Sequence, residues 1–238
     1  MGIEEFAKQN TKYCKLKTAG ESEQGIPIYA MELSDGKGQR KKAMLVSCLH
    51  GSEQNTISDN LSTLEAILSS DLLKTWDILS IPVANPDGKE HGARYNSKGI
   101  DLNRDFIKRE AKETGIIIEA YDKFKPEVVL DYHSTKKSVD SCIIIPDKNI
   151  KLNLLKSVIS SYSLTRKKKS LTRVPHLIST QEKIFATLLC EGIYQLDEDV
   201  GGLVSYAIKE SGLAAVIESA DNDFAAYVST SILKKLSP

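Results

Sequence analysis

Short apolar runs bounded by charged or turn-forming residues set the limits on what this chain can fold into. They fall at Ile26 to Leu33, Ala43 to Leu49, Trp76 to Val83, Glu127 to Tyr132, Ser141 to Ile145, Phe185 to Cys190 and Leu213 to Glu218. Runs of this length, flanked in this way, read as buried strands. Between several of them the apolar residues recur at helical spacing: Thr56 to Ser69, Phe106 to Lys123, Ile150 to Ser161, Leu203 to Ser211 and Asp223 to Lys235. Such alternation predicts an α/β fold, a mixed and mostly parallel twisted sheet with helices on both faces. With 238 residues and no internal repeat, low-complexity tract or Pro/Gly-rich linker, the chain is expected to form a single domain over residues 1–238.

Charge narrows the partners. The 32 Lys and Arg balance the 32 Asp and Glu, which argues against nucleic acid or an anionic membrane as a general electrostatic partner. A local basic cluster, Arg166 to Lys169 with Arg173, reads as a solvated loop. No apolar stretch reaches the roughly 20 residues of a membrane span. Met1 to Phe6 lacks the basic flank and apolar core of a secretory signal, so a cytoplasmic location is expected. Cys14, Cys48, Cys142 and Cys190 have no short pair spacing and read as buried free thiols. Composition leaves the oligomeric state open.

Two of the four histidines end apolar runs. His50 opens His50-Gly51-Ser52-Glu53 directly after Ala43 to Leu49, and His133 follows Val128 to Tyr132. In an open α/β sheet the carboxyl ends of the strands are where ligands bind. Ser52 is placed to cap a helix beginning near Asn55, which would set Glu53 in its first turn. Imidazole and carboxylate both suit zinc, and a catalytic site needs a third protein ligand and a position for water. Alone, His-x-x-Glu recurs by chance.

Other clusters add weight. Asn85-Pro86-Asp87-Gly88 has the composition of a turn. The segment after it carries Arg94, Asn103 and Arg104, side chains suited to holding an anion such as a carboxylate. Glu218 ends the apolar run Ala214 to Ile217; a partly desolvated carboxylate there would suit a general base.

In that order, His50-x-x-Glu53, Asn85-Pro86-Asp87-Gly88, Arg94, Asn103-Arg104, His133 and Glu218 resemble the zinc metallocarboxypeptidase family, from about Ala43 to Ser219. The resemblance implies one zinc ion held by His50, Glu53 and His133. It implies Glu218 as the base that activates the zinc-bound water, and Arg94 as the group that polarises the scissile carbonyl. Asn103 and Arg104 would hold the terminal carboxylate of a peptide substrate. The family's tyrosine over the substrate falls on Tyr194, with Tyr206 as competitor. Its side-chain pocket falls on Leu203, Val204 and Ser205, where no acidic residue favours basic ends. Asp105 departs from a common asparagine and would make that wall more acidic.

The compact size and the segment from Asn85 to Arg104 look most like bacterial murein-peptide amidases, so a muropeptide is a second expected substrate class. An N-acyl amino acid amidohydrolase of the aspartoacylase and succinylglutamate desuccinylase type is an alternative. The ten-residue step from Arg94 to Arg104 favours the peptidase side. A non-catalytic zinc or peptide-binding relative is the third reading.

Overall fold

The computed structural model describes residues 2–134, 141–145, 151–166, 186–190, 193–196, 201–209, 211–219 and 222–238. Of the basic cluster, Lys167 to Lys169 and Arg173 lie outside these residues, as do His176 and the side chains of Arg166, Cys190 and Tyr194.

Among the described residues one sheet of nine strands runs through the molecule. In chain order these are β1 (Cys14–Glu21), β2 (Pro27–Leu33), β3 (Lys41–Ser47), β4 (Trp76–Ile81), β5 (Val128–Ser134), β6 (Cys142–Ile145), β7 (Ala186–Cys190), β8 (Ile193–Leu196) and β9 (Leu213–Ser219). The spatial order is β1-β2-β4-β3-β5-β9-β6-β8-β7. The central strands β4, β3, β5 and β9 are mutually parallel. Antiparallel pairs flank them, β1 with β2 and β2 with β4 on one side, and β9 with β6 on the other. Beyond β6, β8 runs parallel to it and β7 antiparallel to β8.

Strands covered on both faces need apolar residues at every position, which is why Ala43 to Val46 and Leu213 to Ile217 read as unbroken runs. One face packs Ala43, Leu45, Leu130 and Ala215 under α1 (Ile3–Gln9), α2 (Asn55–Leu68), α5 (Leu152–Arg166) and α7 (Asn222–Leu236). The opposite face packs Met44, Val46, Val129 and Val216 under α4 (Lys112–Phe124), α6 (Leu203–Ala207) and the loop residues Leu102 and Phe106. A short α3 (Pro86–His91) completes the set.

Several elements differ from expectation. β1 was not anticipated, because an outer strand carrying Lys15 and Lys17 shows little apolar signal; lysines on an edge are a common guard against further pairing. Helix α4 starts at Lys112 rather than Phe106, since Arg109 adopts a left-handed φ of 60° and Phe106 is buried in the loop. Asn85-Pro86-Asp87-Gly88 is the start of α3 rather than a free turn: Asn85 caps it by accepting the Gly88 N–H at 2.8 Å. No described helix is long and apolar enough to cross a membrane. The described cysteines Cys14, Cys48 and Cys142 are buried free thiols.

Candidate metal centre

β3 ends at Ser47 and the chain turns out of the sheet at Cys48, whose φ of 56° lies in the left-handed region. For a residue with a Cβ that conformation costs about 1–2 kcal/mol. The Thr56 hydroxyl holds the turn, accepting the Cys48 N–H at 3.0 Å and donating to the Glu53 carbonyl at 2.7 Å. Ser52, expected to cap α2, is exposed, and the residue at the cap position, Gln54, makes no side-chain cap hydrogen bond. Glu53 precedes α2 rather than lying in its first turn.

This turn carries His50 and Glu53 to the carboxyl end of β5, where His133 occupies the next-to-last position. Glu53 Oε1 is 2.8 Å from His50 Nδ1, and Oε2 is 3.0 Å from His133 Nδ1. The Ser134 N–H donates to the same Oε2 at 3.1 Å. The imidazole rings meet edge to face, centroids 4.7 Å apart. Burial alone would raise the Glu53 carboxyl, yet His133 and His50 hold it well below the usual carboxylate range. Burial would likewise lower His133, and the Asp131 and Glu53 carboxylates outweigh it, raising its pKa well above the ordinary value.

The donor set fits zinc. Both Nδ1 atoms face one carboxylate, and one ligand atom from each of His50, Glu53 and His133 lies within 4.8 Å of the others. Two imidazoles and a carboxylate are ligand types that zinc takes, and three protein ligands are what a catalytic site uses.

Around the three, the loop after α3 supplies cations. Arg94 Nε and Nη2 both lie 2.8 Å from Asp101 Oδ2, and Nη1 is 3.4 Å from His50 Nδ1. Asp101 Oδ1 faces His50 Nε2 at 3.3 Å. Burial would raise the Asp101 carboxyl, but His50 and Arg94 pull it well below the usual range. Asp101 therefore ties the arginine to the first histidine. From behind, the buried Asp87 accepts the Ser97 hydroxyl at 2.6 Å, and Asn96 Nδ2 donates to the buried Glu113 at 3.1 Å.

Asn103 closes the side toward β5. Its Oδ1 accepts the Leu203 N–H at 3.1 Å, which leaves Nδ2 facing His133 Nε2 at 3.1 Å. Arg104 Nη1 donates to the Asn103 carbonyl at 2.7 Å. Gly201 and Gly202 permit this approach, since a Cβ on Gly202 would stand 2.7 Å from Asn103 Oδ1.

Glu218 on β9 pairs in register with His133 on β5, so both side chains project from the same face of the sheet. Burial is the main cause that pushes its carboxyl up to about 7.

The remaining expected residues sit differently. Val204, on α6, is 2 % exposed and packs in the core, while its neighbour Leu203 donates its N–H to Asn103 Oδ1. Tyr194 lies within β8, paired on both sides by β6 and β7, rather than on a loop. Tyr206 packs against Phe106 and Tyr121 and donates to Asp122 Oδ1 at 3.3 Å. Asp105 does not form an acidic wall: it is 2 % exposed and accepts the N–H groups of Glu110 and Ala111, each at 3.0 Å, ahead of α4. Sequence reasoning passed over Asp101 and Asp131. The second was detectable, since residues two apart on a strand share a face and Asp131 precedes His133 by two.

A parallel-centred sheet with a His-x-x-Glu turn and a second histidine at adjacent strand ends defines a class of metal-dependent hydrolase folds. The family model for peptidase M14, zinc carboxypeptidase, matches residues 2–138. This chain belongs to the zinc carboxypeptidase family. Carboxypeptidase 2 of Trichophyton tonsurans is 30% identical over 140 residues, 54% of this chain and 26% of that protein. Carboxypeptidase SOL1 of Arabidopsis thaliana is 28% identical over 117 residues, 44% of this chain and 23% of that one. The matches thus span about a quarter of these relatives. Among solved structures, carboxypeptidase A from Helicoverpa armigera superposes with a TM-score of 0.71 at 20% identity, covering 97% of this chain and 69% of that chain. A metallopeptidase structure from Shewanella amazonensis gives 0.69 at 16% identity, covering 99% and 91%.

Proposed function

We propose that the protein is a zinc-dependent hydrolase that cuts a peptide or amide bond next to a free carboxylate. The observation that carries this reading is Glu53, whose two carboxylate oxygens each face the Nδ1 of a different histidine. His50, Glu53 and His133 would hold the ion. When bound, zinc supplies Lewis acidity toward the scissile carbonyl and makes water more acidic.

The residues of the chain do the rest. Glu218, with its carboxyl near 7, takes a proton from the attacking water and delivers it to the leaving amine, so it ends the cycle as it began. Arg94, oriented by Asp101, donates to the oxygen on which charge develops. Arg104 and Asn103 hold the substrate carboxylate, in the orientation fixed by Leu203 N–H. No tyrosine is assigned the covering role: Tyr206 packs against Phe106 and Tyr121, and Tyr194 lies within β8.

The test is product analysis by mass spectrometry after incubation of the zinc-loaded protein with linear peptides, muropeptides and N-acyl amino acids. Release of carboxyl-terminal residues or of a muropeptide fragment supports the reading and separates its two substrate classes. Cleavage of N-acyl amino acids alone would replace it with the amidohydrolase reading.

A further inference from the structure

We infer that Asp131 is a positioning residue that fixes His133 in the tautomer able to bind metal through Nδ1. The inference rests on the reading that His50, Glu53 and His133 hold zinc, and concerns a residue outside that set.

The geometry around His133 contains a conflict. Nδ1 faces Glu53 Oε2 at 3.0 Å, on the side of the other ligand atoms. Nε2 faces two groups at once, Asp131 Oδ2 at 3.1 Å and Asn103 Nδ2 at 3.1 Å. Those groups ask for opposite tautomers. An amide nitrogen only donates, so a bond from Asn103 requires a bare Nε2 and puts the proton of a neutral ring on Nδ1. A carboxylate only accepts, so a bond to Asp131 requires the proton on Nε2 and leaves the Nδ1 lone pair for a metal. Rotating Asn103 does not resolve this, because its Oδ1 already accepts the Leu203 N–H and is crowded by Gly202.

Asp131 decides the contest. It is fully buried, two residues before His133 on the same face of β5. Its other oxygen, Oδ1, has no hydrogen-bond partner among the described residues. With no partner on Oδ1 among the described residues, the Asp131 carboxylate is the stronger claimant on the ring, since hydrogen bonds to a carboxylate are stronger than those from a neutral amide. With the proton of Nε2 directed at Asp131, Asn103 Nδ2 no longer has an acceptor on His133. With its Oδ1 held by the Leu203 N–H, that amide keeps its Nδ2 hydrogens available to a substrate carboxylate. Asp131 thereby serves both the metal and the anion clamp without touching either.

Two measurements test this, with zinc alone as the probe. Competition against a chelating dye is expected to show zinc affinity falling about 10–100-fold in Asp131→Asn, the range typical for loss of such a partner. Unchanged melting of the zinc-free variant would show that the loss is not unfolding. The second measurement needs no variant. The chain has only four histidines, so nitrogen-15 NMR of the zinc-loaded wild type can assign the His133 tautomer, which should be protonated at Nε2 and ligated at Nδ1. A folded Asp131→Asn protein binding zinc within twofold of wild type, or ligation through Nε2, overturns the inference while leaving the zinc site standing. If wild type binds no zinc, the ligand assignment fails and the inference falls with it.

Discussion

Gly51 and Gly88 meet backbone to backbone: a Cβ on Gly51 would stand 2.1 Å from the Gly88 carbonyl carbon and 2.3 Å from the Lys89 nitrogen. The turn bearing His50 and Glu53 is therefore seated directly on α3. Asn85 ties the same junction, its Nδ2 lying 3.2 Å from the Leu49 carbonyl and 3.4 Å from that of Arg94. Gly51→Ala must separate these two backbones, because nothing flexible is available to yield. We expect a loss of about 1–3 kcal/mol of stability, the usual cost of overpacking. Zinc affinity should also fall; a chemical denaturation curve and a zinc titration matching wild type would show that the junction can yield.

Asp105 offers a contrasting case, because its carboxylate serves the backbone rather than the substrate. Asp105→Ala removes the acceptor for two N–H groups ahead of α4 and should destabilise the fold by about 1–3 kcal/mol. The ratio of kcat/KM between acidic and neutral substrates should stay constant. A changed ratio with unchanged stability would restore the acidic-wall reading.

Glu218 links pH to stability. Its folded pKa of about 7 lies above the unfolded value of 4.5. Below pH 4.5 the group is protonated in both states and costs nothing. As pH rises toward 7 the unfolded chain releases the proton first, so folded stability declines over that window. In zinc-free protein, Glu218→Gln should therefore be more stable than wild type at pH 8, by up to on the order of 3 kcal/mol. The difference should vanish near pH 4. Urea melts across that range read the effect directly, and a constant difference at all pH values would contradict it.

The two arginines should separate in kinetics. Arg94 lies beside His50 and is braced by Asp101, and its proposed role is to act on the transition state. Arg94→Ala should lower kcat about 10²–10³-fold, as for other lost oxyanion donors. Arg104→Ala should act mainly through KM, the signature of a group that binds ground and transition states alike. Steady-state kinetics on one peptide would show it, and equal effects on kcat from both variants would argue against the division of roles.

Much of the fold could be read in the chain because buried parallel strands leave unbroken apolar runs. Ala43 to Val46, Val128 to Leu130 and Leu213 to Ile217 did so. The candidate metal ligands were legible for a related reason: His50 and His133 follow such runs, and strand ends in parallel sheets converge on one edge. Elements without that signal escaped notice. The outer strand β1 buries little, and α3 begins with residues that equally suit a turn.

The sequence by itself determined the α/β class, the strand ends that carry His50 and His133, and the residue types suited to zinc. It did so because periodicity and composition are local properties. Only the tertiary structure decided which carboxylate serves which purpose. Glu53 bridges two histidines, Asp101 joins Arg94 to His50, Asp131 faces the far nitrogen of His133, and Asp105 caps a backbone. Four acidic side chains alike in chemistry differ in role because each role depends on distances of about 3 Å between groups up to 80 residues apart. No local pattern encodes those distances.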